Sequence, residues 1–489
     1  MSSIQEVRGN REGEMSERTV VLGAGPAGIT AAWQIAVHGD RVDVVEKEKS
    51  MGGMGTTFSH GPYRLDYGPH TFHIRGTEES RRILQTILPL LPQEPRILQR
   101  GTRLLLKGRY YNYPFQLTDL LFGLNPLLSL KISWDYLKAT LIYSFHKPDP
   151  HASFEEWGVK NLGWTLYNLC FGIYSRKVWG LPTSQISSKQ AQRVAKLSLK
   201  NIILRLFHIK ADPVAYFQKY FYPHGGIGIL YERMAEELEA RGGKVHRESP
   251  VKRISWEGRR IHHVVLEKEG REEILDCRGV ISTLPLPHLV RLFDPPLPEE
   301  VREAASRLRY RSLVLCYVVI NRAKVTDYHW CYLLDEAFRC NRICDQKNVS
   351  PDLIPEDKTV LCFEISCFHG DEVWHASEEE LLETVLKDAS RFDCFKREEV
   401  EEVFVKRLAT AYPIYEIEFE KNLNPVLEAL HRFENFMTIG RHGLFLNNSM
   451  DDNVELGVWV AEFLNQEGWN TQKWYSAIQK YMADRFQGK

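Results

Sequence analysis

Residues 19–55 read TVVLGAGPAGITAAWQIAVHGDRVDVVEKEKSMGGMG, and this stretch decides the fold. Thr19 to Leu22 is short, apolar and β-branched, the pattern of a strand buried on both faces. Gly23, Gly25 and Gly28 follow at once in G-x-G-x-x-G spacing. ITAAWQIAVHG then reads as a helix stopped by Gly39, and RVDVVEKE reads as a second strand ending in Glu46. Each glycine has a physical duty. Gly23 permits a tight turn, Gly25 lets the backbone approach a pyrophosphate, and Gly28 lets helix and strand pack closely. The helix start, with Pro26 and Ala27 in its first turn, faces the phosphates. Glu46 stands 18 residues beyond Gly28, where a carboxylate can accept from a ribose hydroxyl; Lys47 follows it. Strand, turn, helix, strand and acid are in register, which predicts a dinucleotide site in an α/β fold.

The chain has 489 residues, 43% hydrophobic and 26% charged, which points to a globular protein of two or three domains. Sixty-three basic residues against 64 acidic ones leave a net charge of −1, so no nucleic-acid partner is expected. Nine cysteines show no CxxC pair, and a reduced, cytoplasmic protein is the expectation. Residues 1–17 read as a disordered lead-in without a signal-peptide core. The most apolar run, Leu120 to Leu130, has 11 residues and is broken by Pro126, too short to span a bilayer. Leu197 to Phe207 puts residues 199, 202, 203, 206 and 207 on one helical face, flanked by Lys196, Lys200 and Arg205. A core-packed helix is expected there, with peripheral membrane contact as the alternative.

The second glycine cluster, Gly52-Gly53-Met54-Gly55, resembles the GG motif of the amine oxidase and protoporphyrinogen oxidase superfamily of flavoproteins. Asp66 to His73, DYGPHTFH, is similar to the superfamily's segment beside the flavin. The resemblance implies non-covalently bound FAD. It implies cofactor contacts from Gly52, Gly53 and Met54, from Gly68, His70 and Thr71, and from Val251. Gly440, Arg441 and Met450 complete them on the returning C-terminal segment. The implied fold class is α/β: a Rossmann-like FAD-binding domain from 18–95, 216–295 and 429–489, with a mixed helical and sheet substrate domain from 96–215 and 296–428. Residues 96–215 look mostly helical, whereas 296–428 alternate strands such as SLVLCYVVI and TVLCFEISCF with the helix EEELLETVLKDASRF.

Within the superfamily, five ordered motifs resemble UDP-galactopyranose mutases: GPHTFH, Tyr111-Asn112-Tyr113-Pro114-Phe115, Tyr174-Ser175-x-Lys177-x-Trp179-Gly180, Gln192-Arg193-Val194-Ala195 and Gly440-Arg441. The resemblance implies a substrate site with Tyr113, Phe115, Tyr174, Ser175, Lys177, Trp179, Tyr216 and Asn448. His70, Arg193 and Asn447 are the implied catalytic residues. Mutases carry tyrosine where this chain has Asn447, and an amide reaches a phosphate with different geometry. The expected function is therefore an FAD-dependent oxidoreductase acting by hydride transfer to flavin N5 on a sugar-nucleotide, glycan or lipid-linked small molecule. A redox-neutral mutase-like isomerase is the alternative, and a non-catalytic flavin-binding scaffold the third. Packing of one helix end is the alternative for Tyr174, Lys177 and Trp179. No metal is expected at His70 and His73, since no further ligand is spaced to close a shell. Cys340 and Cys344 read as buried thiols. No motif speaks to oligomeric state.

Overall fold

The computed structural model describes residues 18–113, 125–143, 149, 151–193 and 219–487. The lead-in at 1–17 and the amphipathic stretch at 197–207 lie outside them. Five parallel strands form one sheet in the order Lys244–His246, Val42–Val45, Thr19–Leu22, Gly279–Ser282 and Phe436–Thr438. Thr19–Leu22 sits at its centre and is buried along its length, as its unbroken apolar run requires. Helix Pro26–Val37 covers this sheet and is crossed by helix Met450–Glu467. A Cβ on Gly457 would stand 2.6 Å from the Ala27 carbonyl oxygen, so the two backbones meet where only glycine fits. Beside this layer lies a mixed sheet whose core is the antiparallel hairpin of Val251–Glu257 and Arg260–Lys268; the turn expected at Glu257-Gly258 falls at Gly258-Arg259, because Glu257 still pairs with Arg260.

The large sheet has seven strands, in the order Val400–Pro413, Tyr310–Ile320, Thr359–Cys367, Arg342–Asp345, Trp330–Leu333, Thr102–Leu106 and Arg109–Asn112. Tyr310–Ile320 alternates strictly between two cores. Leu313, Leu315, Tyr317 and Val319 join the main core, while Val314, Cys316, Val318 and Ile320 pack under helix Glu378–Ala389 with Leu381, Leu382 and Val385. Both faces are covered, so the run from Leu313 to Ile320 is apolar.

The helical expectation for 96–215 needs a correction at its start. Arg96–Gln99, Thr102–Leu106 and Arg109–Asn112 are strands. Thr102–Leu106 pairs in parallel with Trp330–Leu333, more than 200 residues away, and that partner is invisible to local pattern. Helices resume at Pro126–Tyr143, Phe154–Leu162 and Ile173–Trp179 and close a third, smaller core with Leu104, Tyr167 and Ile186. All nine cysteines are buried free thiols. Among the described residues no helix is long and apolar enough to cross a membrane.

Candidate cofactor and substrate site

The glycine loop is built by exclusion. Gly23 has φ +90°, and a Cβ there would stand 2.4 Å from Thr283 Oγ1. A Cβ on Gly28 would stand 1.9 Å from the Gly23 carbonyl oxygen. Gly25 is the opposite case: nothing lies within 4 Å of its Cβ direction. Gly25 is also the N-cap of helix Pro26–Val37, and no side chain caps that helix. The first-turn N–H groups and the positive end of the helix dipole are thus left to a ligand. The second glycine loop is held against the first, Gly52 N–H donating to Ala24 O at 2.8 Å. Gly52 and Gly53 both have positive φ, and a Cβ on Gly53 would approach Gly25 Cα to 3.2 Å.

Glu46 is buried at the end of Val42–Val45. Its Oε2 accepts from Ala24 N–H at 2.8 Å and its Oε1 from Glu48 N–H at 3.0 Å. Burial raises its pKa above the usual carboxylate value against these two bonds. Each oxygen keeps a lone pair for a ribose hydroxyl. Lys47 sits on the exposed rim beside Glu48, and Val251 opens its hairpin half-buried.

The C-terminal segment returns onto this loop. Gly440, at φ +82°, brings its backbone onto Ala27; a Cβ there would meet Ala27 Cβ at 3.1 Å. Arg441 ties the segments together. Its backbone N–H donates to Asn453 Oδ1 at 2.9 Å, its Nε to Asn448 O at 3.1 Å and its Nη1 to Ala411 O at 3.2 Å. Met54 Sδ lies 3.8 Å from Nη1. Met450 starts the Met450–Glu467 helix behind a Ser449–Asp452 capping box.

Gly68, Thr71 and His70 come from the segment between Tyr63–Asp66 and Phe72–His73. A Cβ on Gly68 would stand 2.7 Å from Glu364 Oε1. Burial lowers the His70 pKa to about 3, and the Arg441 and Arg342 guanidiniums add to it, so the imidazole is neutral. His70 Nδ1 and Asn448 Nδ2 are buried without a hydrogen-bond partner of ordinary geometry. An open cradle at Gly25, an uncapped helix start, the Glu46 carboxylate and orphaned polar atoms at His70 and Asn448 fit an extended dinucleotide.

Through Arg342, His70 adjoins a cluster of aromatic rings. Tyr332 meets Tyr174 and Tyr113, each at 5.9 Å between ring centroids, and Trp179 meets Tyr412 at 6.1 Å. The Arg441 guanidinium lies 5.2 Å over Tyr412. Arg342 Nε and Nη2 donate to Glu364 Oε1 at 3.0 and 2.8 Å, and Nη2 also reaches Oε2 at 2.8 Å. Asn447 Nδ2 donates to Pro413 O at 3.3 Å, with Gln190 Oε1 at 3.5 Å, which sets Asn447 against the 188–193 turn. Ser175 is buried.

Lys177 departs from the expectation of a substrate contact. Its ammonium donates into a ring of four backbone carbonyls, Leu333, Asp335, Phe338 and Cys340, at 2.7–3.4 Å. It staples helix Ile173–Trp179 to the loop after Trp330–Leu333. Phe115, Tyr216 and the Arg193 side chain lie outside the described residues. Sequence reading passed over Arg342, Glu364, Tyr332 and Tyr412. The signal was present: Arg342 and Glu364 are charges inside otherwise apolar strands, RICD and TVLCFEISC, and a charge in such a run needs a partner. Among the described residues no three His, Cys, Asp or Glu side chains converge as a metal site; His73 Nδ1 lies 3.2 Å from Asp451 Oδ1.

A parallel sheet with an open glycine cradle, backed by a large mixed sheet that carries a cluster of aromatic rings, defines a dinucleotide-binding fold. The model of the family "flavin containing amine oxidoreductase" matches residues 26–419, and the chain belongs to that family of FAD-dependent enzymes. Over 89 residues it is 38% identical to the all-trans-zeta-carotene desaturase of Myxococcus xanthus, covering 17% of each chain. Over 188 residues it is 23% identical to a probable UDP-galactopyranose mutase of Klebsiella pneumoniae, covering 37% of this chain and 45% of that one. The matches thus span less than half the length of these relatives. The solved structure of reduced UDP-galactopyranose mutase superposes with TM-score 0.78 at 19% identity, covering 94% of this chain and 99% of the other. A putative protoporphyrinogen oxidase from Exiguobacterium sp. 255-15 superposes with TM-score 0.69, also at 19% identity, covering 92% and 99%.

Proposed function

We propose that the protein is an FAD-dependent oxidoreductase that removes a hydride from a sugar-nucleotide, glycan or lipid-linked substrate held in the aromatic cleft. One observation carries this reading: among the described residues, Lys177, Arg342 and Arg441 already serve protein acceptors. Lys177 holds four carbonyls, Arg342 holds Glu364, and Arg441 holds Asn448 and Ala411. Asn447 hydrogen-bonds to Pro413. A cleft of this kind suits stacking on a sugar or hydrocarbon face better than capture of a bare diphosphate. Bound FAD supplies the two-electron acceptor that such an oxidation needs. Gly25, the helix start at Pro26 and Glu46 hold its dinucleotide end. His70 is neutral at working pH, and its imidazole offers the reacting end a hydrogen bond without placing a charge there. Tyr174, Trp179, Tyr332 and Tyr412 orient the reacting carbon and exclude water.

A redox-neutral isomerase acting on a nucleotide sugar is the second reading. It is favoured by the TM-score of 0.78 to the reduced mutase over nearly the whole chain and by the Tyr174 to Trp179 motif. Anaerobic mixing with a panel of nucleotide sugars, polyprenyl compounds and porphyrinogens separates the two. The oxidoreductase bleaches oxidised flavin and gives a product two hydrogens lighter. A product of unchanged mass formed only by pre-reduced enzyme overturns the first reading in favour of the second. A panel without any spectral change favours the scaffold.

A further inference from the structure

Helix Pro126–Tyr143 carries two opposed apolar faces. Ile132 and Ala139 pack inward. On the opposite side Leu127, Leu130, Trp134, Leu137 and Leu141 are 62–75% exposed. Their 3-4-3-4 spacing confines them to an arc of about 80°. With Ile142, this one helix holds six of the twelve most exposed large apolar side chains among the described residues, a concentration that scattered surface leucines do not produce.

The charges beside the stripe identify what covers it. Lys131 and Lys138 are exposed along one edge, and Ser133 and Thr140 line the other. The helix's single acid, Asp135, is turned inward, accepting from the Thr165 N–H at 3.3 Å and from its hydroxyl. The exposed charge is therefore wholly cationic. A second copy of the helix would bring no carboxylate to these lysines, and paired helices draw specificity from complementary flanks. The chain's own amphipathic stretch at 197–207, flanked by Lys196, Lys200 and Arg205, is cationic too and brings no opposite charge to them. Leucines around a central tryptophan, with lysines at the edge, match a helix lying in the headgroup plane of a negatively charged bilayer.

We propose that Leu127, Leu130, Trp134, Leu137 and Leu141, with Lys131 and Lys138 at their edge, form a surface that docks on anionic lipid bilayers without crossing them. This surface is independent of the reaction proposed above. It also sits close to the site: Ile132 and the partly buried Leu128 share one small core with Tyr113, Tyr174, Trp179 and Tyr332. Bilayer contact and aromatic cleft are thus built on the same packed unit, a placement that suits a substrate held in the membrane.

The test is flotation of the FAD-loaded full chain with vesicles of phosphatidylcholine alone or with added phosphatidylglycerol. Partition into the anionic vesicles should be at least about tenfold stronger and should fall with salt. Leu130→Gln/Trp134→Gln/Leu137→Gln should lose it about tenfold or more, with flavin content and Tm unchanged, because these side chains are exposed and belong to none of the three buried cores among the described residues. Lys131→Glu/Lys138→Glu should weaken it without touching the apolar stripe. Brominated lipid should quench the wild type more than Trp134→Phe. Equal partition into both vesicle types overturns the anionic assignment, and no partition overturns the surface itself. A vesicle-free dimer that the triple variant dissociates gives the face to a second copy and overturns the proposal as well.

Discussion

Arg342 and Glu364 form a two-pronged ion pair, three contacts of 2.8–3.0 Å between neighbouring strands of the large sheet, beside His70 and under the ring of Tyr332. Glu364 is 4% exposed, and Arg342 holds its charge because Glu364 neutralises it. Breaking the pair from one side strands a buried cation. Glu364→Gln should cost about 3 kcal/mol by denaturant unfolding, whereas Arg342→Met/Glu364→Leu should recover most of that loss. A single variant as stable as wild type would mean that water reaches Arg342.

Gly25 and Gly28 separate binding from folding. Gly25→Val has open space in the protein and a permissive φ of −64°, so stability should change by no more than about 1 kcal/mol. The valine occupies the pyrophosphate cradle, and the purified protein should be colourless. Gly28→Val drives a Cβ into the Gly23 carbonyl and should cost at least about 3 kcal/mol, read as loss of soluble folded protein. Flavin retained by Gly25→Val would place the dinucleotide elsewhere.

Asp66 imposes a pH dependence. It is 1% exposed, and burial raises its pKa to about 7 although Thr57 and Tyr222 donate to it. The unfolded chain releases this proton near pH 4 and the folded one near pH 7, so raising pH between these values favours unfolding. The wild type should lose up to about 4 kcal/mol relative to Asp66→Asn across that window. Parallel stability curves for the two proteins from pH 4 to 7 would show that Asp66 is ionised in the fold.

Lys177 distinguishes a staple from a substrate contact. Lys177→Met leaves four carbonyls short of a donor and should cost about 2–3 kcal/mol. Once a substrate is known, its KM should move by less than about twofold in the stable fraction. A large KM effect with unchanged Tm would return the ammonium to the substrate.

The part of the molecule built from neighbours in the chain could be read from residue order alone. Gly23, Gly25, Gly28 and Glu46 do their work within one strand–helix–strand unit, where spacing alone sets geometry, and the parallel sheet and glycine cradle were legible from it. The charges Arg342 and Glu364 were visible too, but not as a pair. Their 22-residue separation closes only through strand register, Arg342 opposite Glu364, and register depends on which face of each strand the cores bury. The same holds for Thr102–Leu106, whose partner is Trp330–Leu333, and for Lys177, whose helix motif suggested a ligand contact until the loop at Leu333 to Cys340 folded over it. Tertiary structure decided these because each depends on groups that only the assembled cores bring within hydrogen-bond range, and residue type and spacing carry no record of that approach.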